Sequence, residues 1–86
     1  MTQALDYKVG NFVDMFGQRE LVINVNDREV RTISRGPGSG EITCLNYSLE
    51  DHVVRLDLER EDSIISIKKG HKMYDEYDKM LEEAKR

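Results

Sequence analysis

Few residues in this chain are of types that perform nucleophilic, acid–base or metal chemistry. The sequence holds one cysteine, Cys44, and two histidines, His52 and His71. A catalytic thiol needs a neighbouring base, so an enzyme using Cys44 or His52 is the chemical hypothesis that these residues allow. The histidines have no second cysteine or histidine at metal-ligand spacing. We therefore expect a non-enzymatic protein without a metal site or a cofactor, in which Cys44 is a buried strand residue.

A glycine-rich segment at residues 34–40 is the most unusual local feature. Backbone N–H groups of glycines can converge on an anion, and arginines add charge-assisted hydrogen bonds. A phosphate- or nucleotide-binding loop is therefore one hypothesis, with the members Arg28, Arg31, Arg35, Gly36, Gly38, Ser39 and Gly40. The segment lacks the Gly-Lys-Ser/Thr ending of a P-loop, and a strand is predicted after it. Turn chemistry alone explains its composition, so a hairpin connection is the favoured interpretation.

The charge of the chain argues against a nucleic-acid partner, and its short apolar runs argue against a membrane span. The chain carries 13 Lys and Arg against 17 Asp and Glu, a formal net charge of -4, whereas a general nucleic-acid binder shows a basic field. Asp27 and Glu29 interleave the arginines, and no aromatic stacking platform lies beside them. The acidic stretch 50–62 is interpreted as an exposed strand face. No apolar run approaches the length that spans a membrane.

The size of the chain predicts one domain, 1–86, with a thin core. A single cysteine allows no internal disulfide, and the first residues lack the pattern of a signal peptide, so a cytoplasmic location is expected. Small domains without disulfides or metals often gain stability by self-association. Accessory proteins of bacteria and their phages offer an analogy of size and character.

The first element is predicted from apolar spacing. Leu5, Val9, Phe12, Val13 and Phe16 form one stripe at helical spacing, which predicts an amphipathic helix over 3–16 that stops at Gly17. The alternation of Leu5, Tyr7 and Val9 leaves a short strand as the alternative for residues 3–10.

Five strands and a second helix are predicted to follow. Alternating apolar residues indicate strands at 20–26, 29–34, 41–47, 54–58 and 63–68, with a bulge near Val30 and Ile33. A stripe of apolar residues predicts a helix over 71–85. The fold class is α+β: an antiparallel five-stranded meander, as a sheet or a small barrel, with an N-terminal and a C-terminal amphipathic helix.

The leading functional hypothesis is a small binding or regulatory module that acts through protein–protein contacts, with self-association expected. It rests on the lack of catalytic or metal-ligand spacing and on the thin core, which would profit from an interface. Apolar residues predicted on exposed faces are the candidate interface: Val22, Tyr47, Ile64 and Tyr74. A protein that binds a phosphate-bearing small molecule through the glycine-rich segment is the alternative.

Overall fold

The computed structural model describes residues 7–36, 38, 40–51 and 53–85. Within these ranges the chain forms six strands and one helix. They are β1 (Phe12–Met15), β2 (Gln18–Val25), β3 (Glu29–Arg35), β4 (Ile42–Glu50), β5 (Val53–Leu56), β6 (Ile64–Ile67) and α1 (Tyr74–Ala84). Every strand pair is antiparallel, and the sheet curls into a half-barrel. The predicted antiparallel sheet and C-terminal helix are confirmed.

Strands β1 to β5 follow one another across the sheet, but β6 does not continue this order. β5 pairs with residues 47–50 of β4, and β6 pairs with residues 42–45 of the same strand. Between them, the Asn46 N–H donates to the Ser63 carbonyl at 2.8 Å. The expected pairing of the last two strands with each other is therefore wrong. They form one interrupted partner for β4, from which residues 57–63 protrude.

The predicted N-terminal helix is wrong. Residues 3–6 lie outside the described ranges, but Phe12–Met15 is an edge strand and Phe16–Gly17 is a tight turn. Residues 7–11 form neither a helix nor the alternative strand. The apolar stripe was misleading because β1 contacts both core clusters: Phe12 packs on one side of the sheet and Val13 on the other. Adjacent apolar residues on such a strand imitate helical spacing.

Two apolar clusters lie on opposite faces of the sheet. We call the face covered by α1 the helix face; its buried residues are Leu21, Ile33, Ile42, Cys44, Ile67, Tyr74 and Leu81. We call the other the concave face, where the buried residues are Tyr7, Met15, Val22, Val30, Leu45, Tyr47 and Val54. Met15 comes from one outer strand and Val54 from the other. Their presence in one cluster shows that the sheet curls toward this face.

The bulge was expected near Val30 and Ile33, but the structure has it on β2, in the pairing of that strand with β3. Val22 pairs with Thr32 and Asn24 with Arg31, so Ile23 is the extra residue. A bulge of this kind strengthens the local twist of a sheet. This bend helps to close the sheet around its concave face.

The helix α1 is fixed to the sheet by apolar and polar contacts. Leu81 and Tyr74 are buried, and the Tyr74 hydroxyl donates to the Gly40 carbonyl at 2.8 Å. The Arg35 guanidinium forms ion pairs with Asp78 and Glu82 at 2.5 and 3.1 Å. The hairpin that joins β3 and β4 is thereby held against the helix.

Candidate binding site on the concave face

An open cavity of about 640 Å³ lies on the concave face. Most of its walls are apolar, and its lining residues come from β1, β2, β4, β5, β6 and the β1–β2 turn. The lining residues are Met15, Phe16, Gln18, Glu20, Leu45, Tyr47, Val54, Arg55, Leu56 and Ile64. This volume and this mixture of apolar walls with a few polar groups are typical of ligand-binding pockets. Within the described residues, no helix lies over this face.

The rim of the cavity carries two exposed apolar side chains. Phe16 is 60% exposed and Ile64 is 49% exposed. They come from distant parts of the chain, the β1–β2 turn and the start of β6. Exposed apolar residues beside a concavity are characteristic of surfaces that bind a partner.

Phe16 has an unusual backbone conformation. Phe16 and Gly17 form the two-residue turn between β1 and β2, and both have positive φ, 55° and 90°. Such turns strongly favour Asn-Gly, because a bulky side chain is strained in the left-handed region. Two contacts support the turn: the Gly17 N–H donates to Asp14 Oδ1 at 2.9 Å, and the Phe16 ring lies 6.1 Å from the Tyr47 ring. The sheet therefore holds an exposed aromatic ring at the cavity mouth despite its backbone cost.

A buried carboxyl group lies at the cavity floor. Glu20 is only 1% exposed, and its Oε1 atom accepts hydrogen bonds from Thr32 Oγ1 at 2.7 Å and from the Tyr47 hydroxyl at 2.8 Å. These three side chains link β2, β3 and β4 across the concave face. Because buried polar groups are costly without partners, this network orients Tyr47, on which Phe16 packs.

The network also shifts two pKa values. Burial raises the pKa of Glu20, and the hydrogen bonds from Thr32 and Tyr47 lower it in part. Burial, followed by the neighbouring Glu20, raises the pKa of Tyr47, so the phenol stays protonated and can donate. Two hydroxyl donors on one carboxyl oxygen form a stable, directional contact that joins three strands.

The arginines of the predicted phosphate site are not gathered in one place. Arg28 lies in the β2–β3 turn, and Arg35 lies at the opposite end of β3, roughly 23 Å away at strand spacing. Arg31 lies on the helix face near Cys44, and the Arg35 guanidinium contacts α1. Among the glycines, the Gly36 N–H donates to the Glu41 carbonyl, and Gly38 and Gly40 have positive φ. Ser39 lies outside the described residues.

The candidate nucleophile Cys44 and the histidine His71 each contact neighbouring groups of the fold. Cys44 is buried in the helix-face cluster, and burial raises the pKa of its thiol while Arg31 lowers it. A reactive cysteine has the opposite property, a lowered pKa in a partly exposed site. His71 Nδ1 accepts a hydrogen bond from the Met73 N–H at 3.0 Å beside the start of α1. His52 lies outside the described residues.

The residues predicted as an interface divide between interior and surface. Val22 and Tyr47 belong to the concave-face cluster, and Tyr74 belongs to the helix-face cluster. Their expected exposure is wrong, because the sheet is buried on both faces at its centre. Only Ile64 of the four is exposed, and it lies at the cavity rim.

Two residues of the cavity were missed by sequence reasoning. Glu20 was not among the candidate site residues, because charged residues are rarely fully buried. Phe16 was assigned to a helix stripe. The dipeptide Phe16-Gly17 between alternating segments was the available signal for a turn, but the phenylalanine obscured it.

No family model, curated protein or solved structure matches this chain. Among the described residues, no helix is both long and apolar enough to cross a membrane. Those residues also contain no group of three or more His, Cys, Asp or Glu side chains that could hold a metal ion.

Proposed function

We propose that this protein is a non-enzymatic binding module that holds an apolar side chain of a protein partner in the concave cavity. The observation that carries the proposal is an open cavity of about 640 Å³ with exposed Phe16 and Ile64 at its rim. Burial of aromatic and aliphatic anchors in such pockets dominates the energy of many protein interfaces.

The chemistry of the cavity supports binding rather than catalysis. Its buried carboxyl, Glu20, already accepts two hydroxyl donors on Oε1, and Tyr47 is held as a donor. Gln18 and Arg55 place polar groups among the apolar walls, where they can orient a backbone segment. This arrangement suits recognition of a protein segment with one inserted apolar side chain.

The test is a titration with single side-chain mimics, followed by NMR of the cavity methyl groups. N-acetyl amides of phenylalanine and leucine are the probes, and the N-acetyl amide of asparagine is the polar control. We expect the apolar probes to shift the methyl signals of Leu45, Val54 and Leu56, and the polar control to leave them unchanged.

Two tryptophan variants provide a matched comparison for this titration. Ile64 and Ile65 are neighbours on β6 with similar exposure, 49% and 45%, but Ile64 lines the concave cavity and Ile65 lines a separate hollow on the helix face. Ile64→Trp should block the mouth and abolish the shifts, whereas Ile65→Trp should leave them unchanged. Shifts that scatter over the surface, or that persist in Ile64→Trp, would contradict the proposal.

A second candidate function, the binding of a phosphate-bearing small molecule, is favoured by one observation. A hollow of about 400 Å³ beside the β3–β4 hairpin is lined by residues that include Arg19, Arg35, Gly36, Ser34 and Thr43. It ranks second because the Arg35 guanidinium is already paired with two carboxylates of α1. Titration with inorganic phosphate and with ATP tests it: binding that Arg35→Ala abolishes, in a folded variant, would move this function to first place.

A further inference from the structure

We infer that the side chain held in the concave cavity is Phe16 of a second copy of this chain, in a two-fold dimer where each copy fills the cavity of the other. The inference rests on the proposed function and names its partner. Phe16 protrudes at the rim of the cavity that it would fill in the other copy. A protruding side chain next to a complementary hollow makes a patch that can pair with itself by a two-fold rotation.

The conformation of Phe16 supports this choice of occupant. A phenylalanine with φ of 55° in a two-residue turn carries strain, and its ring remains 60% exposed although it touches Tyr47. Strained residues are found where the surrounding structure holds them for a purpose. In a dimer the same ring becomes a buried aromatic anchor. The free energy gained by burying the ring would then offset the backbone strain at Phe16.

The size of the cavity fits a hairpin tip. The ring of a phenylalanine occupies only part of about 640 Å³, so the cavity has room for the ring and for the adjoining Gly17 and Gln18 of the partner copy. Gly17 has no side chain to obstruct this approach. The tip is also short and held by the Asp14–Gly17 hydrogen bond, so little conformational freedom is lost on docking.

The hairpin tip carries both signs of charge, and one of them can pair with the cavity lining. Arg19 lies opposite Asp14 and over the Phe12 ring, which leaves the Asp14 carboxylate for such a pair. Asp14 is exposed at the hairpin tip, and Arg55 is exposed at the cavity lining. Insertion of the tip brings the carboxylate of one copy toward the guanidinium of the other, and the two-fold axis repeats the pair. Because each chain has a formal net charge of -4, two copies repel at long range, and these pairs offset that repulsion at the contact.

The contact consists of one aromatic anchor from each copy and the cavity rim that surrounds it, so the area that it buries is small for a protein interface. We expect a dissociation constant on the order of micromolar. Sedimentation velocity from about 1 to about 500 µM brackets this range and should show a mass that rises from monomer to dimer.

Two variants remove opposite halves of the contact. Phe16→Asn removes the anchor and places at position 16 a residue that tolerates positive φ, so the turn should be kept. Ile64→Trp blocks the cavity and leaves Phe16 in place. Each variant alone should weaken dimerisation at least tenfold, and Ile65→Trp should dimerise like the wild type. An equimolar mixture of Phe16→Asn and Ile64→Trp retains one anchor and one open cavity, although the rim of that cavity has lost its own Phe16. The mixture should therefore form a heterodimer more readily than either variant forms a homodimer.

An isotope-filtered NMR experiment on mixed labelled and unlabelled wild-type protein locates the contact directly. We expect nuclear Overhauser effects between the Phe16 ring of one copy and the methyl groups of Leu45 or Ile64 of the other. A wild-type chain that remains monomeric to the highest concentration would overturn the inference, and so would a Phe16→Asn variant that is folded by circular dichroism and still dimerises normally.

The probe titration on Phe16→Asn separates this inference from the proposed function. If the phenylalanine amide binds the cavity of this variant while the wild type is monomeric, the binding module stands and the second copy is the wrong partner. If the probe binds to neither protein, the proposed function fails first.

Discussion

The two faces of this sheet are closed in different ways. On the helix face, α1 covers the apolar cluster, and Leu81 and Tyr74 complete it from above. On the concave face the sheet curls over its own cluster, and the hydrogen-bonded Glu20 lies among the apolar residues. The first arrangement still leaves Ile65 and Met80 partly exposed, at 45% and 36%, whereas the second leaves a cavity of about 640 Å³ with Phe16 and Ile64 at its rim.

This difference concerns how two buried clusters of similar size are enclosed within a chain of 86 residues. In a core this thin, both clusters contribute to the packing of the fold. The concave face differs in keeping an open recess, which is the binding site proposed above. Substitutions on the two faces should then affect different measurements.

The largest effect on stability is expected from the helix face. Leu81→Ala removes a 2% exposed side chain from between helix and sheet, and large-to-small substitutions of this kind cost about 3 kcal/mol. Ile64→Ala, at the half-exposed rim of the concave cavity, should cost less than about 1 kcal/mol. Urea denaturation followed by circular dichroism measures both. Equal losses would show that the concave rim is part of the stabilising core.

The next effect concerns the polar network of the concave face. Glu20→Ala leaves the hydroxyls of Thr32 and Tyr47 without their acceptor and should cost about 2 kcal/mol. Glu20→Gln keeps an acceptor oxygen and should cost less. Glu50→Ala, at the exposed end of β4, is the control and should change the free energy of unfolding by less than about 0.5 kcal/mol. If Glu20→Ala lowers the free energy of unfolding no more than Glu50→Ala does, the network does not stabilise the fold.

The same residue makes stability depend on pH. Because burial raises the pKa of Glu20 in the folded protein, protonation favours the folded state. Its stabilising contribution is complete below the unfolded pKa and is lost as pH rises through the folded pKa. The free energy of unfolding of the wild type minus that of Glu20→Gln should therefore decrease as pH rises above about 4.3, the ordinary pKa of a glutamate. An increase over this range would mean that the carboxylate is stabilised by its donors more than it is penalised by burial.

The sequence was sufficient for much of the fold because several strands are patterned simply. The strands around 54–58 and 63–68 and the helix near 71–85 follow from periodicity, and their counterparts β5, β6 and α1 lie close to those positions. The pairing of β5 and β6 with one strand was missed, since periodicity identifies strands without saying which edge they join. The edge strand β1 was missed because Phe12 and Val13 face different clusters.

The candidate site was less accessible to sequence reasoning, for physical reasons. Glu20 is buried by the curl of the whole sheet, a property that no local pattern carries. Phe16 occupies a turn position with positive φ, where phenylalanine is unfavourable. The turn propensities of the residue types therefore did not predict a turn here. Ile64 was identified as a surface residue from a local alternating pattern, although its neighbour Ile65 is also 45% exposed. The cavity itself arises from residues more than 40 positions apart.

The smallest expected effect comes from the ion pairs that join the β3–β4 hairpin to α1. Arg35→Ala breaks the contacts with Asp78 and Glu82, but these side chains are a third or more exposed, so the loss should stay below about 1 kcal/mol. Arg28→Ala, at the other end of β3, is the control. Because salt screens exposed charges, the difference between the two variants should shrink in urea denaturation at about 1 M NaCl. A loss that exceeds that of Glu20→Ala would instead place polar contacts, rather than the apolar cluster under α1, at the centre of stability on the helix face.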